Sequence, residues 1–295
     1  MFSDVRSDIY SPATIADSCH ACLIGTGMMN LGSTFYAHEG GVTSIAFSPD
    51  GRLVATAGYD SQVRIWDAVT WTESACLPGH RRGHVVFTPE GDYLVSAGLH
   101  ADAVVFRTDT REVAATISDT SSVWGLAVLP GTGEVVFIQP DDDAEDGAWR
   151  PLELRRIGDW AVVGQIGIGV ELPQAIACAP DSSRVAVSQH PGIVSNYAGV
   201  FAHILHKFPA DKEAVWALAF SPGGALLATG GADGTVRLWD TATWELRDER
   251  HADHRGGSAI LALAFSPDSR WLLSGGLDGY MTVHKFHEDH HGPFL

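Results

Sequence analysis

Residues 44–67 read SIAFSPDGRLVATAGYDSQVRIWD, and residues 217–240 repeat most of this line as ALAFSPGGALLATGGADGTVRLWD. In both copies, apolar residues alternate with polar residues in short runs, and turn sequences such as SPDG and YDSQ separate the runs. Alternation with a period of two residues is typical of strands that are half buried. The repeated line therefore predicts short antiparallel strands joined by tight turns.

The same order of runs and turns recurs along the chain at a nearly constant spacing. The residue before the Ser-Pro turn, or before its equivalent, marks each copy, and the marks are spaced by 40, 41, 50, 42 and 45 residues. A period near 40 residues with several strands in each copy indicates a radial repeat, in which each unit covers the faces of its neighbours. We therefore expect residues 1–295 to form one closed ring. The six marks are Phe47, Phe87, Val128, Cys178, Phe220 and Phe265.

Two copies end in the dipeptides Trp66-Asp67 and Trp239-Asp240, and the repeat extends at least from Tyr36 to Phe286. On these residues the chain resembles the WD-repeat β-propeller family. The resemblance implies an all-β fold, a single closed β-propeller whose blades are four-stranded antiparallel sheets.

The resemblance also implies a hydrogen-bonded network inside a blade, built from His, Ser or Thr, Asp and Trp. A buried indole N–H and a buried carboxylate each need a partner, and such a network satisfies both. Because Asp211 stands at the expected His position, the network of the second copy is predicted to be incomplete. The implied structural residues are His38, Thr56, Asp60 and Trp66 in one copy and Thr229, Asp233 and Trp239 in the other.

The number of blades has two interpretations. The segment Val5–Pro12 can be aligned with Val42–Pro49, which favours seven blades with residues 1–36 as a degenerate first blade. The alternative has six blades, with residues 33–38 (STFYAH) as the outer strand that closes the ring next to Phe286. Seven blades is the preferred prediction.

The composition limits the possible partners. The formal net charge is −17, from 36 acidic and 19 basic residues. A field of this sign repels phosphate backbones and anionic lipid surfaces, so no nucleic acid or membrane partner is expected. Four cysteines are too few for a disulfide framework, and the start of the chain lacks a signal-peptide pattern, so we expect a cytoplasmic protein.

Differences between the copies indicate where function lies. Trp124 and Trp216 occupy the position that Thr43 holds in the first copy. In the family this position lies near the rim of the central channel, on a face commonly used for binding. Exposed indoles there would anchor a partner, because aromatic residues dominate interface energetics. The alternative is that each Trp packs into the gap between blades.

A second rim position in the family lies just before the network Asp. The residues here are mixed and rather apolar, and they sit in an acidic protein. Such a rim suits a protein or peptide that carries basic and apolar groups. The residues at this position are Tyr59, Leu99, Ala232 and Leu277, with His190 in the irregular copy.

Two segments are weak candidates for metal binding. The insertion Gln139–Pro151 holds five acids between Asp141 and Asp146, without the spacing of a calcium loop. The tail 287–295 is rich in His, and His287, His290 and His291 are its candidate ligands. A solvated loop and a His-rich tail without metal are the simpler interpretations.

Two functions follow from these observations. The first is a non-enzymatic scaffold, a monomer apart from its partner, that binds a protein or peptide through the top face and channel mouth and needs no cofactor. No motif for a nucleophile elbow, phosphate loop or dinucleotide turn occurs. The alternative is an enzyme or small-ligand binder at the channel mouth, where Trp124 and Trp216 stack on the ligand. His190, with Tyr59 or with the loop Asp141–Asp143, would then supply acid/base or metal chemistry.

Overall fold

The computed structural model describes residues 34–120, 122–139, 152–167, 173–199 and 203–286. These residues form 24 strands and one short 3₁₀-helix, Arg255–Gly257. The strands lie in six separate four-stranded antiparallel sheets, which we number as blades 1 to 6. The all-β propeller of four-stranded blades predicted from the repeat is therefore confirmed.

The first three blades follow one another in the chain. Blade 1 consists of β2 (Val42–Phe47), β3 (Leu53–Gly58), β4 (Gln62–Asp67) and β5 (Glu73–Pro78). Blade 2 consists of β6 (Arg81–Phe87), β7 (Tyr93–Leu99), β8 (Ala103–Arg107) and β9 (Val113–Ile117). Blade 3 consists of β10 (Gly125–Leu129), β11 (Glu134–Ile138), β12 (Leu152–Arg156) and β13 (Val162–Ile166).

The last three blades complete the ring, and the sixth takes one strand from the start of the described chain. Blade 4 consists of β14 (Pro173–Cys178), β15 (Arg184–Gln189), β16 (Ile193–Ala198) and β17 (Ile204–Pro209). Blade 5 consists of β18 (Val215–Phe220), β19 (Leu226–Gly231), β20 (Thr235–Asp240) and β21 (Leu246–His251). Blade 6 consists of β22 (Ile260–Phe265), β23 (Trp271–Gly276), β24 (Tyr280–Lys285) and β1 (Thr34–Tyr36).

Six blades close the ring, so the preferred prediction of seven is wrong. The first strand of each blade contacts the first strand of the next, and β22 of blade 6 contacts β2 of blade 1. No gap for another blade remains between them. β1 pairs antiparallel with β24, in the register Thr34 to Thr282 and Tyr36 to Tyr280. The alternative closure by STFYAH is thus confirmed, and the aligned segment Val5–Pro12 lies outside the described residues.

The hydrophobic core lies between neighbouring blades. Phe35 and Met281 of blade 6 pack with Val42 and Trp66 of blade 1 in one cluster of buried side chains. The Phe35 ring lies edge-on to the Trp66 indole, with 5.5 Å between ring centroids. Each buried aliphatic or aromatic side chain stabilises the fold by about 1.5–3 kcal/mol. Because both faces of a blade are covered by its neighbours, closure of the ring is needed to bury this surface.

In blade 1, the four network residues are connected by hydrogen bonds. The His38 Nδ1 lies 2.9 Å from Asp60 Oδ1, and its Nε2 lies 2.7 Å from Thr56 Oγ1. The Trp66 Nε1 donates to the same hydroxyl at 2.9 Å. Burial by itself raises the pKa of Asp60. This effect is outweighed by the hydrogen bond and the charge of His38, by the hydrogen bond from the Gln62 amide and by the charge of Arg64, so the pKa of Asp60 is lowered. The network thus holds an ionised carboxylate and a buried indole in one structural unit.

Blade 5 carries the incomplete version of this network. The Trp239 Nε1 donates to Thr229 Oγ1 at 3.0 Å, as in blade 1. Asp211 stands where blade 1 has His38, and the Arg237 guanidinium bridges the Asp211 and Asp233 carboxylates at 3.1 and 2.6 Å. An arginine on β20 therefore completes the bonding that the missing His leaves open.

Candidate functional site

The candidate residues lie on one face of the ring, which we call the rim face. In a four-stranded antiparallel blade, the link between its second and third strands and the link to the next blade leave at the same end. Tyr59, His190 and Leu277 directly follow the second strands of their blades, Leu99 is the last residue of β7, and Trp124 directly precedes β10. The ring thus brings residues from distant parts of the chain to one surface.

Tyr59 and Leu277 meet at the seam between blades 1 and 6. A Cβ atom placed on Gly41 would lie 3.1 Å from the Tyr59 ring and 3.3 Å from the Leu277 Cα. The absence of a side chain at Gly41, which has a φ of 129°, therefore lets the two residues approach each other. Leu277 keeps 43% of its surface exposed. This seam presents an apolar spot to solvent.

An aromatic pair that the sequence reasoning did not single out as a site lies on the outer strands of blade 6. Tyr36 and Tyr280 face each other across β1 and β24, edge to face, with ring centroids 5.5 Å apart. The Arg255 guanidinium lies 4.0 Å from the centre of the Tyr280 ring. Tyr36 is 46% exposed, and burial, followed by the charges of Glu39 and Asp60, raises its pKa. The sequence could have indicated this pair only after β1 had been assigned to blade 6, because that assignment places the two tyrosines opposite each other on paired strands.

Thr43 does not offer its hydroxyl to a partner. Its side chain is buried, and the hydroxyl donates to the Ala57 carbonyl at 3.1 Å and to the Gly83 carbonyl at 2.6 Å. Gly83 belongs to blade 2, so this bond joins two blades. The structure therefore places Thr43 in the seam, where it fixes the spacing of blades 1 and 2.

Leu99 lies next to the segment that leads into Trp124, at the seam between blades 2 and 3. Leu99 pairs through its main chain with Arg81 on one side and with Ser122 on the other. The Arg82 guanidinium carbon lies 4.7 Å from the centre of the Trp124 ring. Trp124 also packs against the core between blades 3 and 4. It therefore lies at the rim and also packs into the gap between two blades, so both interpretations of this residue apply. Sequence reasoning missed Arg82, although four of the other five blades have Val or Ile at its position.

Trp216 and His190 lie on other blades of the same face. Trp216 is partly exposed on blade 5, His190 is exposed on blade 4, and Trp124 is on blade 3. Tyr59 belongs to blade 1, which is opposite blade 4 in a ring of six. The ring therefore places the His190 and Tyr59 of the enzymatic alternative on opposite sides of the channel instead of joining them in one site.

Several of the described histidines are members of blade networks. In blade 6, His254 Nε2 lies 2.9 Å from Ser274 Oγ, and His284 Nε2 lies 2.8 Å from the same oxygen. Within the described ranges, no group of three or more His, Cys, Asp or Glu side chains is arranged to hold a metal ion. The candidate ligands His287, His290 and His291 and the acidic run Asp141–Asp146 lie outside those ranges.

Comparison with known proteins agrees with this architecture. The family model described as "WD domain, G-beta repeat" matches residues 29–67, 202–240 and 249–285. The chain is similar to the mouse (Mus musculus) protein named serine-threonine kinase receptor-associated protein, with 24% identity over 75% of this chain and 74% of that protein. It is also similar to eukaryotic translation initiation factor 3 subunit I of Eremothecium gossypii, with 21% identity over 71% of this chain and 64% of that protein.

A third relative is actin-interacting protein 1 of Drosophila melanogaster, 23% identical over 74% of this chain and 36% of that protein. Together with the six blades and the blade 1 network, the three matched segments identify WD repeats in this chain. None of the described helical residues forms a helix that is long and apolar enough to cross a membrane.

Proposed function

We propose that this chain is a non-enzymatic interaction scaffold that binds a protein or peptide across the rim face and the channel mouth. The observation that carries the proposal is the convergence of rim residues from separate repeats: Leu99 lies beside the segment that leads into Trp124 at one seam, and Tyr59 and Leu277 both lie beside Gly41 at another. A large exposed aliphatic group such as Leu277 beside an aromatic ring provides an anchor for a partner.

The relatives support this class of function through what their names state. One is named as associated with a receptor, one as a subunit of an initiation factor and one as interacting with actin. Each name describes association with another protein. We infer the same kind of role for this chain, as a monomer in the cytoplasm that assembles with a partner through its rim face.

The partner is expected to carry basic and apolar groups. The net charge of −17 attracts a basic chain over distances of about a Debye length. Next to the apolar spot at blades 1 and 6, Glu39 and Asp60 add local negative charge, which together with burial, the larger cause, raises the pKa of Tyr36. Apolar contacts then supply affinity once the partner has been steered to the rim.

The experiment is affinity purification of the full chain with quantification of the proteins that are recovered. Leu277→Ser and Trp216→Ala on the rim face are compared with Val69→Ser on the opposite face, where Val69 is 81% exposed in the turn between β4 and β5. We expect the rim variants to lose a specific partner and the Val69 variant to retain it. Equal recovery by all of these variants would contradict the assignment of binding to the rim face.

A further inference from the structure

The seam between blades 2 and 3 carries a positive group in an unusual backbone position. Arg82 has a φ of 56°, whereas the equivalent residues of the other five blades do not adopt a left-handed conformation. Left-handed backbone at a non-glycine residue is sparsely populated and is concentrated at binding and active sites. In this conformation the guanidinium lies over Trp124 of the next blade, at 4.7 Å from the ring centre. The equivalent residues are Val42, Val123, Pro173, Val215 and Ile260.

The stacking of Arg82 on Trp124 orients a guanidinium whose N–H groups have no carboxylate partner in the described part of the chain. Among the residues that the structure describes, no Asp or Glu side chain forms an ion pair with Arg82. The contact with the indole face uses the plane of the guanidinium and leaves its N–H edge for another group. A planar, oriented guanidinium is suited to accept a carboxylate in a bidentate arrangement.

The neighbouring side chains favour a carboxylate on a peptide. Leu99 adjoins the start of blade 3 through its bridge to Ser122 and provides an apolar contact beside the charge. His84, two residues after Arg82 on β6, remains neutral because burial and then the charge of Arg82 lower its pKa to about 3. A polyanion such as a nucleic acid is disfavoured, since the whole chain carries a charge of −17.

We infer that the Arg82–Trp124 seam binds an Asp or Glu side chain of the partner peptide, next to an apolar residue that contacts Leu99. This inference rests on the proposed scaffold function and adds the orientation of the partner. The basic part of the peptide lies toward blades 1 and 6, and its acidic residue lies over blades 2 and 3. The positive group at blades 2 and 3 and the carboxylates of Glu39 and Asp60 at blades 1 and 6 select one orientation, because the reversed peptide would place like charges together.

The test uses an array of 12-residue synthetic peptides probed with the purified full chain. Each peptide holds Leu and Lys together with one variable position that is Glu, Gln or Lys. Arg82→Gln removes the positive charge, and Arg82→Lys retains the charge but lacks the planar guanidinium. The matched control is Arg52→Gln, which makes the same change on the opposite face, where the Arg52 side chain is 84% exposed. Urea unfolding of each variant verifies that the fold is retained.

We expect the wild type and Arg52→Gln to bind Glu peptides more tightly than their Gln counterparts. Arg82→Gln should lower affinity for Glu peptides by about tenfold or more and leave Gln peptides unchanged, as expected for loss of a charge-assisted hydrogen bond. Arg82→Lys should retain only part of the preference for Glu peptides over Gln peptides. Equal binding of Glu and Gln peptides by the wild type, or an unchanged Glu preference in Arg82→Gln, would overturn the carboxylate site.

Failure of the broader proposal gives a different result. If the wild type binds no peptide of the array and recovers no partner that depends on Leu277, both the scaffold function and the carboxylate site are wrong. If a partner is recovered through Leu277 but Arg82→Gln has no effect on it or on the Glu peptides, only the carboxylate site is wrong. Binding of single-stranded DNA in preference to the Glu peptides would also overturn it.

Discussion

Asn196 is the residue that departs most clearly from its equivalents in the core. It lies on β16 between Ala186 and His206 in register and is fully buried. Neither its amide nitrogen nor its amide oxygen has a hydrogen-bond partner among the described residues. The same position is apolar in the other five blades, where it holds Ile65, Val105, Leu154, Leu238 and Val283.

Replacing Asn196 by Val is expected to stabilise the protein. A buried polar group without a partner costs about 1–3 kcal/mol, and Val adds apolar contact at a position where Val105 and Val283 already fit. Urea unfolding should show a free energy of unfolding that is higher by about that amount. The reverse change, Val105→Asn in blade 2, is the matched control and should destabilise the fold. An unchanged or lower stability of Asn196→Val would mean that an ordered water satisfies the amide.

At the scale of a blade, the bonded network was predictable where residue types were kept. His38, Thr56, Asp60 and Trp66 stand at fixed offsets, and these offsets place them in contact in blade 1. Blade 3 was not predictable in this way, because Arg155 stands where blade 1 has Trp66. Its guanidinium bonds Glu153 and the carbonyls of Ser118 and Trp160. The hydrogen bonds of such a replacement depend on which main-chain carbonyls lie near the Arg155 side chain. No sequence pattern predicts the positions of these carbonyls.

The network of blade 6 predicts a pH-dependent stability. His284 stands at the Trp position, and burial lowers its pKa to about 4. The unfolded chain therefore binds this proton at a higher pH, near 6.5, than the folded chain does. The stabilisation is complete above pH 6.5 and is lost as the pH falls toward 4. Between pH 7.5 and pH 5 the expected loss from this one group is about 2 kcal/mol.

The matched variant is His284→Trp, which restores the residue found in blades 1 and 5. Its indole N–H can still donate to Ser274, but the group no longer titrates. Urea unfolding at pH 7.5 and at pH 5 should show a smaller loss of stability in the variant than in the wild type. Equal losses would show that His284 is not the group that titrates. His80, His84 and His254, whose pKa values burial also lowers, are expected to give a residual pH dependence in both proteins.

At the scale of the whole molecule, the repeat spacing predicted the blades but not how the ring closes. Each Ser-Pro turn, or its equivalent, follows an inner strand, so the six copies were countable from the sequence. The closing strand β1 has only three residues and no turn signature, and its partner β24 lies about 250 residues later in the chain. Its role depends on this distant pairing. The rim positions of Leu99 and Trp124 followed from their offsets, whereas that of Arg82 depended on a contact with the next blade.

Two truncations test the six-blade closure directly. A chain that starts at Leu31 keeps β1, whereas a chain that starts at Ala37 lacks it but retains His38 and the blade 1 network. The described blades already close the ring, so the first truncation should unfold at the same urea concentration as the full chain. The second removes Phe35, which is 5% exposed and packs on Trp66, and its free energy of unfolding should fall by at least about 3–5 kcal/mol.

Phe35→Ala in the full chain should reproduce most of this loss of stability, and Tyr36→Ala, at a largely exposed site, should lose much less. A large loss already at Leu31 would contradict closure by β1, because the ring would then depend on residues 1–30.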